Sequence, residues 1–153
     1  KATSVYQALL DEVDAAIEQN DYRAFVGCMA LPVRSECHGT VLLSDRAISR
    51  LVFDATRQAM AVASIDRRTR LCQGAQFTGE DEVIGTHQTW MVSSDYRINE
   101  SYCIAHTLKR CDDRWRVCAH RLISDTDALP KQVWATIEPY VTKPGDGAEI
   151  AIP

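Results

Sequence analysis

No stretch of this 153-residue chain approaches the roughly 18–20 apolar residues that span a bilayer. It has no basic excess either: 17 Lys and Arg against 21 Asp and Glu leave a formal net charge of −4, so no positive field invites nucleic acid. The densest basic cluster, Arg67-Arg68-Thr69-Arg70, reads as a solvated loop before a strand. Six cysteines occur, but none as Cys-x-x-Cys and none at zinc-finger distance from a His. They read as small buried hydrophobes in a reducing, cytoplasmic setting, without a disulfide between Cys103 and Cys118. No two histidines stand at metal-ligating spacing on one element and no carboxylate completes a set, so no metal and no cofactor are expected. The start, Lys1-Ala2-Thr3-Ser4, has no signal-peptide pattern; the absence of an initiator Met leaves room for an upstream segment. No motif names a reaction.

What is present is ordinary globular composition, 46% hydrophobic and 25% charged, at a length that suits one domain. Tyr6, Leu9, Leu10, Val13, Ala16 and Ile17 recur at helical spacing, and Thr3 or Ser4 is the expected cap. Asp21 is placed to cap a short second helix carrying Tyr22, Phe25 and Val26, which Pro32 ends. A strand over Val33 to Cys37 turns at His38-Gly39 and returns through Val41 to Leu43, with His38 read as a solvent-exposed turn residue. Ser44 and Asp45 cap a third helix with Ile48, Leu51, Val52, Ala55, Ala59 and Val62 on one face. Strands are then predicted over about 70–78, 82–93, 99–110 and 114–124. Helices first and antiparallel strands after is an α+β order, in which the helices cover one face of a strongly curved sheet and leave a cone open to a small molecule. The core spans residues 3–124. The Pro-rich extension 125–153 holds at most a short helical turn around Gln132 to Ile137.

The most informative segment is 101–124, SYCIAHTLKRCDDRWRVCAHRLIS, two alternating runs with Asp112-Asp113 as turn tip. That tip pairs Leu108 with Val117, His106 with Ala119, Ile104 with Arg121 and Tyr102 with Ile123. The inner face is then apolar yet carries His106, Tyr102 and Arg121. Buried polar groups without partners cost roughly 1–3 kcal/mol each, and a pocket is one place to keep them. These three are the candidate catalytic set: His as acid or base, Tyr as donor to an oxyanion, Arg as holder of a carboxylate or enolate. On 82–93, the face with Ile84, Thr86, Gln88, Trp90 and Val92 holds more bulk and is assigned inward, which sends His87 outward. A register slip of one residue brings His87 inside, beside His106. The expected ligand contacts are Gln88, Trp90, Ile104, Trp115, Tyr22 and Phe53. A ligand-binding reading expects a void of roughly 300 Å³ walled by His106 and Arg121. The outer hairpin face, with Cys103, Ala105, Thr107, Cys118, His120 and Leu122, carries few charges and is expected to pair with a second copy.

Several segments resemble the nuclear-transport-factor-2-like superfamily, in its SnoaL-like and ketosteroid-isomerase-like branch. Residues 21–32, DYRAFVGCMALP, resemble its second helix and first strand; 38–53, HGTVLLSDRAISRLVF, its Gly turn and third helix; 83–92, VIGTHQTWMV, and 101–121 its long strands. The stretch Asp112-Asp113-Arg114-Trp115-Arg116-Val117 resembles the family's common hairpin, with Asp113 where Gly is frequent. The resemblance implies a cystatin-like, cone-shaped fold, a homodimer, and often an interior Asp base. The predicted strands offer no such Asp, so Asp-based isomerase and cyclase mechanisms are not supported. It leaves two readings: a cofactor-independent lyase or isomerase acting on a compact apolar carbonyl or carboxylate compound, or a non-catalytic dimeric binding or scaffold module. The hairpin also resembles the small structural subunit of aromatic-ring dioxygenases, a third reading.

Overall fold

The computed structural model describes residues 1–37, 39–95, 98–124 and 129–140, with residues 98–100 described in their backbone only. The turn residue His38 and the side chain of Glu100 lie outside the described residues. In chain order the elements are α1 (Ala2–Glu18), α2 (Tyr22–Gly27), β1 (Met29–Cys37), β2 (Thr40–Ser44), α3 (Arg46–Val62), β3 (Ile65–Gly79), β4 (Glu82–Ser93), β5 (Ile98–Cys111), β6 (Arg114–Leu122) and α4 (Leu129–Ile137). A turn of 3₁₀-helix, Glu138–Tyr140, follows α4. The strands form one sheet in the order β2-β1-β6-β5-β4-β3, antiparallel except where β1 runs parallel to β6. The helices pack against it, as the α+β order implies. Among the described residues no helix is long and apolar enough to cross a membrane.

Helix α1 buries the six residues its periodicity picks out, Tyr6, Leu9, Leu10, Val13, Ala16 and Ile17. Its start differs from expectation: the helix begins at Ala2 after Lys1 with no side-chain cap, so Thr3 and Ser4 sit inside the first turn. Asn20 ends the region in a left-handed conformation, φ 55°, a state that Asn tolerates better than most residues. The other two caps are as expected: Asp21 accepts from the Ala24 N–H and Asp45 from the Ile48 N–H, each at 2.9 Å. Helix α3 is rotated from its expected face. Ile48, Ser49, Phe53, Thr56 and Met60 are buried, while Val62 is 75% exposed. The two bulkiest side chains, Phe53 and Met60, take the core. Leu51 and Val52 instead pack beside Trp134 of α4 around a smaller cluster built on Leu42, Ile48 and Ile137.

Strand β3 starts earlier than expected, at Ile65, so the Arg67–Arg70 cluster belongs to a strand and not to a solvated loop. The β5–β6 turn is tipped by Asp112 and Asp113, both left-handed at φ 51° and 59°, the signature of a two-residue hairpin turn. Leu108 pairs with Val117 as expected, but a bulge follows. Beyond it Thr107 faces Ala119, His106 faces His120, Ala105 faces Arg121 and Ile104 faces Leu122. One extra residue on β6 inverts the facing of everything after it. His120 and Leu122 turn inward and Arg121 turns outward, where it is exposed. On β4 the inward set is Val83, Gly85, His87, Thr89 and Met91, all buried. Ile84, Thr86, Gln88 and Trp90 face the other way, against the assignment made from bulk.

Candidate functional site

Between the inner sheet face and helices α1, α2, α3 and α4 lies a cavity of about 160 Å³. Its apolar wall includes Ile17, Phe25, Ile104, Val117, Leu129 and Trp134. Its polar wall is Ser35, Arg68, Arg70, Tyr102, His106 and His120, with Glu36 at one edge. The volume is about half of what ligand binding was expected to need. It is close to the ~150 Å³ of an apolar cavity that accepts benzene.

Two buried cations share one carboxylate at this wall. Asp14 Oδ1 accepts from Arg68 at 2.8 Å (Nε) and 2.6 Å (Nη2), and its Oδ2 accepts from Arg70 Nε at 2.9 Å. Arg70 Nη2 also donates to the Leu10 carbonyl at 2.9 Å. The side chains of Asp14 and Arg68 are each 12% exposed and that of Arg70 5%. Burial alone would raise the Asp14 carboxyl, but the fields of Arg68 and Arg70 and their hydrogen bonds outweigh it and hold it below its ordinary value. Both guanidiniums stay charged, as arginines do in proteins. Tyr102 lies near enough to Arg68 for the two to interact electrostatically.

A row of three histidines runs through this region, with His106 and His120 on the wall and His87 behind it. The His87 and His106 rings are 4.7 Å apart and edge-on; His106 and His120 are 6.1 Å apart. Tyr6 of α1 reaches across to fix them. Its hydroxyl lies 3.0 Å from the Gly85 carbonyl and 2.9 Å from His87 Nδ1, and accepts from the His106 backbone N–H at 3.1 Å. The hydroxyl has one proton, so donating it to Gly85 leaves His87 to carry its own proton on Nδ1. The approach needs a glycine at 85: a Cβ there would stand 2.7 Å from two Tyr6 ring carbons. His120 Nδ1 lies 3.3 Å from Ser35 Oγ. Burial, then the neighbouring arginines, push His87 down to about 2. Burial, His87 and Arg70 hold His106 well below its ordinary value, and burial alone puts His120 at about 4. All three are neutral imidazoles at neutral pH. Buried His87 Nε2 and His106 Nδ1 have no hydrogen-bond partner among the described residues.

The structure therefore brings together only part of the set expected from sequence. His106, Tyr102 and Ile104 line the cavity. Arg121 does not: the β6 bulge points it away, level with Glu36 on β1 and Ala105 on β5. Gln88 and Trp90 lie on the opposite sheet face, where Gln88 donates to Ser101. Trp115 packs near Phe77, in a groove with Val5, Leu9 and Glu12 at the hairpin end. Phe53 is fully buried among Tyr22 and Phe25, and only Phe25 of those three reaches the cavity. Asp14, Arg68, Arg70, His120 and α4 were not expected at the site, and His87 was expected there only under the alternative register. Asp14 falls four residues after Leu10 and three before Ile17, on the edge of the apolar stripe, and Arg68 and Arg70 share strand parity. Those were the available signals. All six cysteines are free thiols. Among the described residues no group of three His, Cys, Asp or Glu is placed to hold a metal ion.

No protein-family profile matches the chain, and no curated protein matches it in sequence. Solved structures do. A protein of unknown function from Mycobacterium tuberculosis aligns over 93% of this chain and 92% of its own at 20% identity, with a TM-score of 0.64. A nuclear-transport-factor-2-like protein of unknown function from Shewanella oneidensis MR-1 aligns over 80% of this chain and 98% of its own at 10% identity, TM-score 0.60. A protein from Novosphingobium aromaticivorans, named as a candidate scytalone dehydratase, aligns over 78% and 80% at 8% identity, TM-score 0.57. The chain has the nuclear-transport-factor-2-like, cystatin-like fold. At these identities the likeness speaks for architecture and not for activity.

Proposed function

We propose that the cavity binds a compact, largely apolar molecule carrying one carbonyl or carboxylate, and that the chain acts on it as a cofactor-independent lyase or isomerase. The observation that carries this reading is His106: a neutral imidazole on the cavity wall, its Nδ1 unpartnered among the described residues, in a cavity that Tyr102 and Arg68 also line. His106 takes a proton from the carbon next to the carbonyl. Tyr102 donates to the oxyanion that develops, and Arg68 supplies the positive charge assigned from sequence to Arg121. The weak basicity of a buried imidazole is offset as the imidazolium forms, because an enolate grows beside it. The structural neighbour named for scytalone dehydratase is consistent with dehydration chemistry on this fold.

The test needs no known product. Enolisable ketones and acids of benzene-like size are incubated with the protein in D₂O, and deuterium uptake at the α-carbon is followed by proton NMR. Uptake that is lost in His106→Ala and reduced in Tyr102→Phe supports the reading; no uptake above buffer with any compound overturns it.

A non-catalytic binding module is the second reading. It is favoured by the locking of Asp14 between two arginines, which leaves that buried carboxylate unavailable as a base. In both readings the sheet face opposite the helices pairs with a second copy, since Leu71 and Ile84 there are 50% and 40% exposed. Light scattering on the purified chain checks the dimer.

A further inference from the structure

We propose that the ligand is a monoanionic carboxylate seated on Arg68, an inference that rests on the binding reading above and narrows it. The ground is the charge inventory of the cavity wall. Arg68 and Arg70 are buried cations, and Asp14 is the single buried anion between them. Glu36, at the cavity's edge, is engaged by Arg34 at 3.1 Å, and both are partly exposed, so that pair cancels itself. His106 and His120 are neutral. Among the described residues the wall thus keeps one uncompensated positive charge.

A buried charge without a counter-charge is costly, and proteins pair it or neutralise it. Arginine cannot shed its proton, and the described residues supply no second anion at this wall, so the wall suits an anion from outside. Both arginines hold Asp14, Arg68 by Nε and Nη2 and Arg70 by Nε, and Arg70 Nη2 is tied further to the Leu10 carbonyl. Arg68 lies beside Tyr102, and both line the cavity, so a guanidinium and a phenol face the same space. That pair suits the fork of a carboxylate. One negative charge balances the wall; a dianion would overshoot it and a neutral carbonyl would leave it unbalanced. The apolar remainder of about 160 Å³, with Phe25, Ile104 and Trp134 on its wall, takes a body the size of a benzene ring.

Sodium benzoate and its neutral isostere benzamide are titrated into the full chain by calorimetry. Benzoate is expected to bind about tenfold tighter or more, the difference between a charge-assisted and a neutral hydrogen-bonded contact. Arg68→Gln is expected to erase the preference, bringing the two affinities within about threefold of each other. Asp14→Asn, which adds a second uncompensated charge, is expected to widen it. The wild-type comparison stands even if neither variant folds. Equal binding of the two, tighter benzamide, or a preference untouched by Arg68→Gln overturns the carboxylate assignment and leaves the cavity as a binding site. Failure of both compounds to bind, together with failure of the ketones and acids of the exchange assay, overturns the binding reading itself.

Discussion

Replacing Asp14 by Asn keeps the shape of the side chain and removes one charge from the most buried ionic cluster of the described residues. In the wild type each Asp14 oxygen accepts from a different guanidinium, at 2.8 and 2.6 Å from Arg68 and 2.9 Å from Arg70. The amide oxygen of Asn can serve one arginine, while its NH₂ group meets the other as a repelling donor. Two guanidiniums are then left buried side by side. Breaking a buried ion pair by removing one partner costs about 3–5 kcal/mol. For a chain of this length about 1 kcal/mol moves the melting temperature by roughly 2–4 °C, so the variant should melt about 10 °C lower at neutral pH. The pH dependence has a definite sign. Asp14 is held below its ordinary value when folded, so its stabilisation is complete above the unfolded value near about 3.9 and is lost as pH falls through the folded value. Urea unfolding followed by circular dichroism should therefore show a gap between wild type and Asp14→Asn that is full at pH 7 and narrows below about pH 4. A gap under about 1 kcal/mol at pH 7, or one that does not change with acid, refutes the ion-cluster account.

Other consequences are as specific. The buried histidines must be neutral in the fold, so their contribution is present above the unfolded value near about 6.5 and is lost as pH falls below it, each adding a slope of about 1.4 kcal/mol per pH unit. His120→Asn should flatten the stability profile between pH 6.5 and the His120 value of about 4, and an unchanged profile would place His120 in solvent. Gly85→Ala drives a methyl group into the Tyr6 ring and the Ala75 side chain at 2.7 and 2.9 Å. The expected loss is about 1–3 kcal/mol in denaturant unfolding, and a neutral effect would contradict the close approach. Tyr6→Phe removes the hydroxyl that serves the Gly85 carbonyl, His87 and the His106 N–H. A cost of about 1–3 kcal/mol is expected, read together with faster hydrogen exchange at the His106 amide.

The architecture was legible in the sequence because it rests on period. The α1 stripe, the Asp21 and Asp45 caps, the Asp112-Asp113 tip and the inward facing of Tyr102, Ile104, His106 and Leu108 follow from spacing and turn chemistry alone. The site was legible only up to the first irregularity. A single bulge after Leu108 exchanges His120 for Arg121 at the cavity, and no residue type in 117–119 announces it. On β4 the larger side chains point away from the helices, so bulk was the wrong guide to facing there. The Arg67–Arg70 run looked solvated because its counter-charge, Asp14, lies more than fifty positions earlier on a helix, a pairing that only the packing of α1 on β3 creates. Helix α4 reads from sequence as no more than a short turn around Gln132 to Ile137, because the Pro-rich composition of the tail outweighs the helical spacing of Leu129, Val133 and Ile137, which line the cavity.

The most direct test of the account is a high-resolution crystal structure of the chain grown with benzoate and examined between Arg68 and His106. The expected result is an ordered carboxylate against the Arg68 guanidinium, its ring against Phe25 and Ile104, with Asp14 still bridging both arginines. A closed cavity filled by the protein's own side chains, with Arg68 turned to a second carboxylate of this chain besides Asp14, would contradict it.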